Sequence, residues 1–179
     1  IKKILDRPQF EIYKIIQEKD YDGVPKIKEL FYSPENDKYI LYEECVPGYT
    51  IDELFKKGTQ FSKKFVIKMA TALCNILKPI HNDNLIHRDI SPNNVMYSQI
   101  EDKFYLIDFG NSRLNKINTP KDTVFAGTPI FMAPEQGGVG TQSDNRTDIY
   151  AIGMLMKFML TKNTTDKKSK IRGRLGKII

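Results

Sequence analysis

The chain contains 179 residues, of which 40% are hydrophobic and 28% are charged, and its formal net charge is +6. This composition is typical of a globular protein, and the chain is long enough to bury a core. The basic excess gathers in residues 162–177 and is not interleaved with aromatic side chains, so we expect a solvated tail and no nucleic-acid partner. No segment is long and apolar enough to suggest a membrane span.

The two cysteines, Cys45 and Cys74, show no metal-ligand spacing and lie in apolar stretches of the sequence. They are predicted to be reduced packing residues. The N-terminal residues do not form a signal peptide. These features favour a cytoplasmic protein, or the cytoplasmic part of a longer protein.

The first 44 residues predict a small unit of strands with one helix. A strand is expected over residues 1–5, followed by a helix over 7–19, where apolar residues recur at close to helical spacing. After a break at 20–25, two further strands are predicted at 27–32 and 39–43, around a polar turn.

The remainder of the chain predicts mainly helices. A short helix is capped by Thr50 or Asp52, and a long helix with one apolar face begins at Ser62. Short strands bracket a polar loop, a further strand precedes another polar loop, and a last helix is strongly apolar. We predict the strands at 85–87, 95–97 and 104–107, the second loop at 111–129 and the last helix at 148–160.

Three signatures follow one another in this second part. His-Arg-Asp-Ile-Ser-Pro-Asn-Asn at 87–94 places Asp89 five positions before Asn94, Asp-Phe-Gly begins at Asp108, and Ala-Pro-Glu follows at 133–135. One carboxylate that orients a hydroxyl, together with two oxygen ligands for magnesium, is the arrangement that phosphoryl transfer needs. The ordered set is far more specific than any single motif.

With these motifs, and with Asp-Ile-Tyr-Ala-Ile-Gly at 148–153, the chain resembles eukaryotic-like (Hanks-type) serine/threonine protein kinases. The resemblance implies an α+β, bilobal kinase-like fold. Residues 1–44 would form a partial small lobe of strands with one helix, residues 45–48 the hinge, and residues 49–179 a mainly helical large lobe. The implied function is transfer of the ATP γ-phosphate to Ser or Thr hydroxyls of protein substrates, with Mg²⁺ as cofactor.

The resemblance also assigns roles around the reacting phosphate. Asp89 would accept a hydrogen bond from the attacking hydroxyl. Asn94 and Asp108 would hold magnesium. Ser91 stands where protein-serine/threonine kinases usually carry a lysine, and a hydroxyl supplies no charge to the γ-phosphate. Catalysis is therefore expected to be weaker, or to depend on another cation.

A lysine and a glutamate are expected to contact the α- and β-phosphates. By resemblance these are Lys2 and Glu11, with Lys3 as the alternative lysine, because neighbours in a strand point to opposite faces and only one can face the nucleotide. At the hinge, the Glu44 carbonyl and the Val46 N–H would bind adenine, and Met96 would contact the adenine face. Either Glu43 or Tyr42 would guard the back of this pocket.

Within these 179 residues the resemblance covers the middle of a kinase: the glycine-rich loop is expected before Ile1, and the last helices of the large lobe after Ile179. The 179 residues alone are therefore expected to be weakly active or inactive. A non-catalytic, pseudokinase-like binding module is the alternative, and a small-molecule kinase is disfavoured by the Ala-Pro-Glu motif. Phosphorylation is predicted at Thr123, Thr119 or Ser112, with Arg88 binding the phosphate.

Overall fold

The computed structural model describes residues 1–115, 127–137 and 143–161. The first unit contains an antiparallel sheet of three strands and one helix. The strands are β1 (Lys2–Leu5), β2 (Ile27–Ser33) and β3 (Lys38–Glu43), and the helix is α1 (Arg7–Lys19). The strand order is β1-β3-β2, so β3 lies in the middle, with Lys3 opposite Leu41.

Helix α1 has the bounds predicted from the sequence because its signals are local. The Asp6 side chain accepts a hydrogen bond from the backbone N–H of Gln9, and the Gln9 side chain accepts one from the N–H of Asp6, which forms a capping box. The helix ends at Asp20, which adopts the left-handed conformation with φ 47°.

The second unit is built around helix α3 (Lys63–Asn82), which Ser62 caps. Its apolar face is buried, as the sequence predicted, and it packs against helix α4 (Asn145–Thr161) and strand β7 (Lys103–Leu106). The remaining elements are short: β4 (Tyr49–Thr50), α2 (Ile51–Lys56), β5 (Leu85–Ile86), β6 (Val95–Ser98), β7 (Lys103–Leu106), β8 (Arg113–Leu114) and a 3₁₀ turn (Pro134–Gly137).

Two small sheets organise these short strands. One has the order β4-β6-β7, and the other pairs β5 with β8. The loop from β5 to β6 therefore leaves one sheet and enters the other, and the sequence 87–94 lies on it. None of the described helices is long and apolar enough to cross a membrane.

The cysteines differ from the prediction. Cys45 and Cys74 are both free thiols, but both are exposed and do not belong to the core. Apolar neighbours in the sequence did not indicate burial here, because a helix or loop residue can adjoin core positions and still point outward. The predicted tail at 162–177 lies outside the described residues.

Candidate active site

Asp89 lies on the loop between β5 and β6, where four donors surround its carboxylate. One oxygen accepts from both the backbone N–H and the hydroxyl of Thr128, each at 2.8 Å. The other accepts from the side-chain amides of Asn94 at 3.0 Å and Asn111 at 3.1 Å. A carboxylate offers about four lone-pair positions, so these donors fill and orient it.

The hairpin of β6 and β7 brings Asn94 close to Asp108. Val95 pairs with Leu106, and the backbone N–H of Ile107 donates to the Asn94 carbonyl at 2.9 Å. The Asn94 side chain uses its NH₂ group to contact Asp89, which leaves its amide oxygen for another partner. This oxygen and the Asp108 carboxylate are hard oxygen donors, which is the kind of ligand that Mg²⁺ prefers.

Asp108 itself has a left-handed backbone conformation, with φ 63°. Such a conformation is uncommon for a residue with a side chain, and Asp adopts it more readily than most residues. The Asp108 side chain is about half exposed, at 51%. Its carboxylate is therefore accessible to a ligand from solvent.

Lys3, and not Lys2, points toward this carboxylate. The Lys3 ammonium lies 3.5 Å from Asp108 and 2.9 Å from Glu43, whose side chain is only 6% exposed. Burial by itself lowers the pKa of Lys3, but Tyr13, Glu43 and Asp108 raise it overall, so Lys3 is charged at neutral pH. The predicted orientation of Lys2 is wrong, because Lys2 lies on the outer face of the sheet near the Tyr42 ring.

On helix α1, the residue that contacts Lys3 is Tyr13 and not the predicted Glu11. Glu11 is exposed, whereas Tyr13 is 2% exposed and its hydroxyl lies 3.4 Å from the Lys3 ammonium. The same hydroxyl accepts from the N–H of Phe109 at 3.0 Å. Burial raises the pKa of Tyr13 to about 12, so the hydroxyl keeps its proton. The structure thus does not bring Glu11 into the predicted ion pair.

Asp148 anchors the loop that carries Asp89. This fully buried residue at the start of α4 accepts from the N–H groups of His87 at 3.0 Å and Arg88 at 2.8 Å. His87 is also fully buried, and its ring packs edge-on against Phe109 at 4.7 Å. The loop and the Asp-Phe-Gly segment are therefore held against one rigid helix.

The connection after β3 leaves two backbone groups available. Glu44 uses its N–H to donate to Lys26, but no backbone hydrogen bond within the described ranges uses its carbonyl or the N–H of Val46. Met96 lies on β6 opposite Thr50 and is partly exposed. Glu43 lies on the same face of the sheet as Lys3, whereas Tyr42 lies on the other face, beside Lys2.

Ser91 is fully buried, and its hydroxyl has no hydrogen-bond partner among the described residues. Ser91 lies on the loop between β5 and β6, and its burial limits its access to a phosphate. Ser112 donates to the His87 carbonyl at 3.3 Å. The other predicted phosphorylation sites, Thr119 and Thr123, lie outside the described residues.

Comparison with known proteins decides the family. The protein kinase domain family matches residues 6–176 of the chain. The chain belongs to this family.

Curated relatives agree with this assignment. Serine/threonine-protein kinase C of Synechocystis is 31% identical over 147 residues, which cover 78% of this chain and 27% of the relative. Serine/threonine-protein kinase B of the same organism is 32% identical over 154 residues, with 81% and 26% covered. The chain therefore spans about a quarter of the length of these relatives.

The fold is that of a protein kinase as well. The structure of the Cydia pomonella granulovirus kinase PK-1 matches with a TM-score of 0.74 and 18% identity, covering 90% of this chain and 59% of that one. The predicted α+β kinase-like fold and the predicted Hanks-type serine/threonine kinase family are confirmed.

Several residues of this candidate site were not predicted from the motifs. Tyr13 and Asn111 had no signal, since a helical tyrosine and a loop asparagine are common everywhere. The only signal for Gln136 in the sequence was its position directly after Ala-Pro-Glu. Its side-chain amide donates to the Arg88 carbonyl at 2.7 Å and accepts from the N–H of Ala133 at 2.9 Å. Gly127 approaches the same carbonyl so closely that a Cβ would lie 2.7 Å from it.

Proposed function

We propose that this chain carries the ATP site and the phosphoryl-transfer residues of a protein-serine/threonine kinase. One observation carries the proposal: Asp89 contacts Asn94, Lys3 contacts Asp108, and the hydrogen bond from the Ile107 N–H to the Asn94 carbonyl joins the segments that carry these two pairs. The Asp108 side chain is about half exposed to solvent. Residues 1–44 would form the part of the small lobe present in this chain, residues 45–48 the hinge, and the residues from 49 onward the large lobe.

The phosphates would lie between the first sheet and the β6–β7 hairpin. Asn94 and Asp108 would hold Mg²⁺, which neutralises charge on the phosphate oxygens. Lys3 would contact the α- and β-phosphates, since it is the lysine whose ammonium reaches Asp108. Adenine would be bound by the Glu44 carbonyl and the Val46 N–H, with Met96 against its face.

Asp89 would receive the hydrogen bond of the attacking hydroxyl. Because four donors already fill its carboxylate, the substrate must replace one of them. Asn111 is the donor we assign to this exchange: its side chain is exposed and its bond, at 3.1 Å, is the longest of the four. Thr128 and Asn94 would keep the carboxylate oriented while the hydroxyl attacks the γ-phosphorus in line.

Substrates would be proteins with Ser or Thr acceptors, which is supported by the names of the relatives and by the contact of Thr128 with Asp89. The chain lacks the usual lysine at position 91. Lys3 is the cation that the described residues offer at the phosphates, and transfer is therefore expected to be slower than with two cations.

The test is the Asp89→Asn substitution in the full-length protein, measured as transfer of radiolabelled γ-phosphate to a protein substrate. We expect kcat to fall about 10²- to 10⁴-fold while the KM for Mg-ATP changes little, because Asp89 contacts the acceptor and not the nucleotide. Asp37→Asn, in an exposed turn, is the matched control.

Near-normal turnover of the Asp89→Asn protein would contradict the assigned role. Phosphoamino acid analysis of the product should show phosphoserine or phosphothreonine. Nucleotide binding by the unsubstituted protein without any transfer would instead favour the pseudokinase-like binding module.

A further inference from the structure

The Lys3 ammonium lies between two carboxylates that belong to different parts of the fold. Glu43, at the end of β3, is 2.9 Å away and has a side chain that is 6% exposed. Asp108 is 3.5 Å away and about half exposed. The shorter and better shielded contact is therefore the one with Glu43, and such contacts are screened least by solvent.

The geometry of this pair is set by the backbone of one sheet. Lys3 pairs with Leu41, so Glu43 lies diagonally across the two strands on the same face. The backbones of Ile1 and Glu43 exchange two hydrogen bonds, of 2.8 and 2.9 Å. Strand pairing therefore places Glu43 beside Lys3 on the same face of the sheet.

The group that helix α1 places beside Lys3 is the neutral hydroxyl of Tyr13 and not a carboxylate. The Tyr13 hydroxyl is 3.4 Å from Lys3 and also contacts Phe109 and Asp108, at 3.0 and 3.5 Å. A protonated phenol can orient the ammonium but cannot neutralise it. Charge compensation for Lys3 inside the fold is left to Glu43, while Asp108 is the residue needed for magnesium.

We propose that Glu43 is the positioning residue that holds Lys3 at the phosphates, in place of a carboxylate on helix α1. The proposal rests on the proposed kinase function. Glu43 acts through Lys3 and does not itself touch the nucleotide phosphates. As a consequence, the charge that balances Lys3 comes from the pairing of β1 with β3, while helix α1 contributes only the neutral Tyr13 hydroxyl.

Glu43→Gln in the full-length protein tests the proposal, because it removes the charge but keeps the shape and a hydrogen-bond acceptor. Without the charge, Lys3 moves toward Asp108 and competes with magnesium. We expect the KM for Mg-ATP to rise about tenfold or more, together with a lower kcat. Glu29→Gln, an equal charge change at an exposed position of β2, is the control and should leave both constants unchanged.

A rescue variant separates positioning from a general loss of structure. The Tyr13 side chain on helix α1 contacts Lys3. Adding Tyr13→Glu to the Glu43→Gln protein therefore places a new carboxylate beside the Lys3 ammonium. We expect this double variant to regain most of the lost affinity for Mg-ATP. Should Glu43→Gln fail to fold, Glu43→Asp withdraws the charge by one methylene and should still raise the KM.

Two results would overturn the proposal. One is an unchanged KM for Mg-ATP in a folded Glu43→Gln or Glu43→Asp protein. The other is an increase in KM on Glu11→Gln as large as that on Glu43→Gln, which would return the role to helix α1. If the unsubstituted protein transfers no phosphate, the proposed function fails. The role of Glu43 is still tested by calorimetric titration with Mg-ATP, in which the Glu43→Gln protein must show a higher Kd than the unsubstituted protein.

Discussion

Thr128 gives one oxygen of Asp89 two hydrogen bonds, from its backbone N–H and its hydroxyl. Thr128→Val removes only the hydroxyl and keeps the branched shape. A hydrogen bond to a charged group contributes about 1.5–3 kcal/mol, so we expect kcat to fall roughly tenfold or more. Thr128→Ser keeps the hydroxyl and should retain most of the activity. Equal rates for the Val and Ser proteins would contradict this role.

His87 makes stability depend on pH. Burial lowers the pKa of His87 in the fold, although Asp148 nearby raises it. The unfolded chain, with a histidine pKa of about 6.5, then binds a proton that the folded chain resists. The contribution of neutral His87 to the free energy of unfolding is fully present above this unfolded pKa and is lost as the pH falls below it.

We therefore expect the free energy of unfolding to decrease between about pH 7 and pH 5, and His87→Phe to reduce that decrease. Urea unfolding of the unsubstituted and the His87→Phe protein at several pH values measures the dependence of this free energy on pH. The loss of hydrogen bonds from His87 lowers stability at every pH, so the slope and not the absolute value is compared. An identical slope in both proteins would count against the assignment.

At the scale of elements, the start of helix α4 supports the loop that carries Asp89. Asp148 is fully buried and accepts from two backbone N–H groups of that loop, at 3.0 and 2.8 Å. Asn has one acceptor oxygen where Asp has two, so Asp148→Asn leaves at least one buried donor unpaired.

We expect Asp148→Asn to cost about 1–3 kcal/mol of folding free energy and to reduce kcat, since the loop loses its anchor. Asp144→Asn is the matched control on the same helix end: its partner Arg146 has an exposed side chain, and such a surface pair contributes about 0–1 kcal/mol. Denaturant unfolding measures the loss of folding free energy in both variants. An equal loss in Asp148→Asn and Asp144→Asn would contradict the anchoring role of Asp148.

At the scale of the whole molecule, the nucleotide is expected to join the first sheet to the β6–β7 hairpin through Lys3, Asn94 and Asp108. A ligand that binds only the folded state stabilises it by about 2.7 kcal/mol at a hundred times its Kd. We therefore expect Mg-ATP to raise the Tm. Chelation of magnesium, or Asp108→Asn, should remove most of this increase, while Asp37→Asn should leave it unchanged. An increase that persists in EDTA would contradict the metal assignment.

The order and type of the longer elements could be predicted from the amino-acid sequence because their signals are local, whereas the two-residue strands β4 and β8 were not predicted, and β8 lies within the predicted loop 111–129. The capping box at Asp6, the cap at Ser62 and the apolar face of α3 all depend on residues within a few turns of one another. The motifs around Asp89 and Asp108 likewise identified the kinase family, since their order along the chain is itself the information.

Only the tertiary structure decided which neighbours of those motifs enter the site. Lys2 and Lys3 are adjacent and point to opposite faces of β1, so the register of β3 selects between them. The rotation of α1 presents Tyr13 and not Glu11, and the burial of Glu43 follows from its place on the inner face of the sheet. These outcomes depend on contacts between residues far apart in the chain, for which a short stretch of sequence carries no signal.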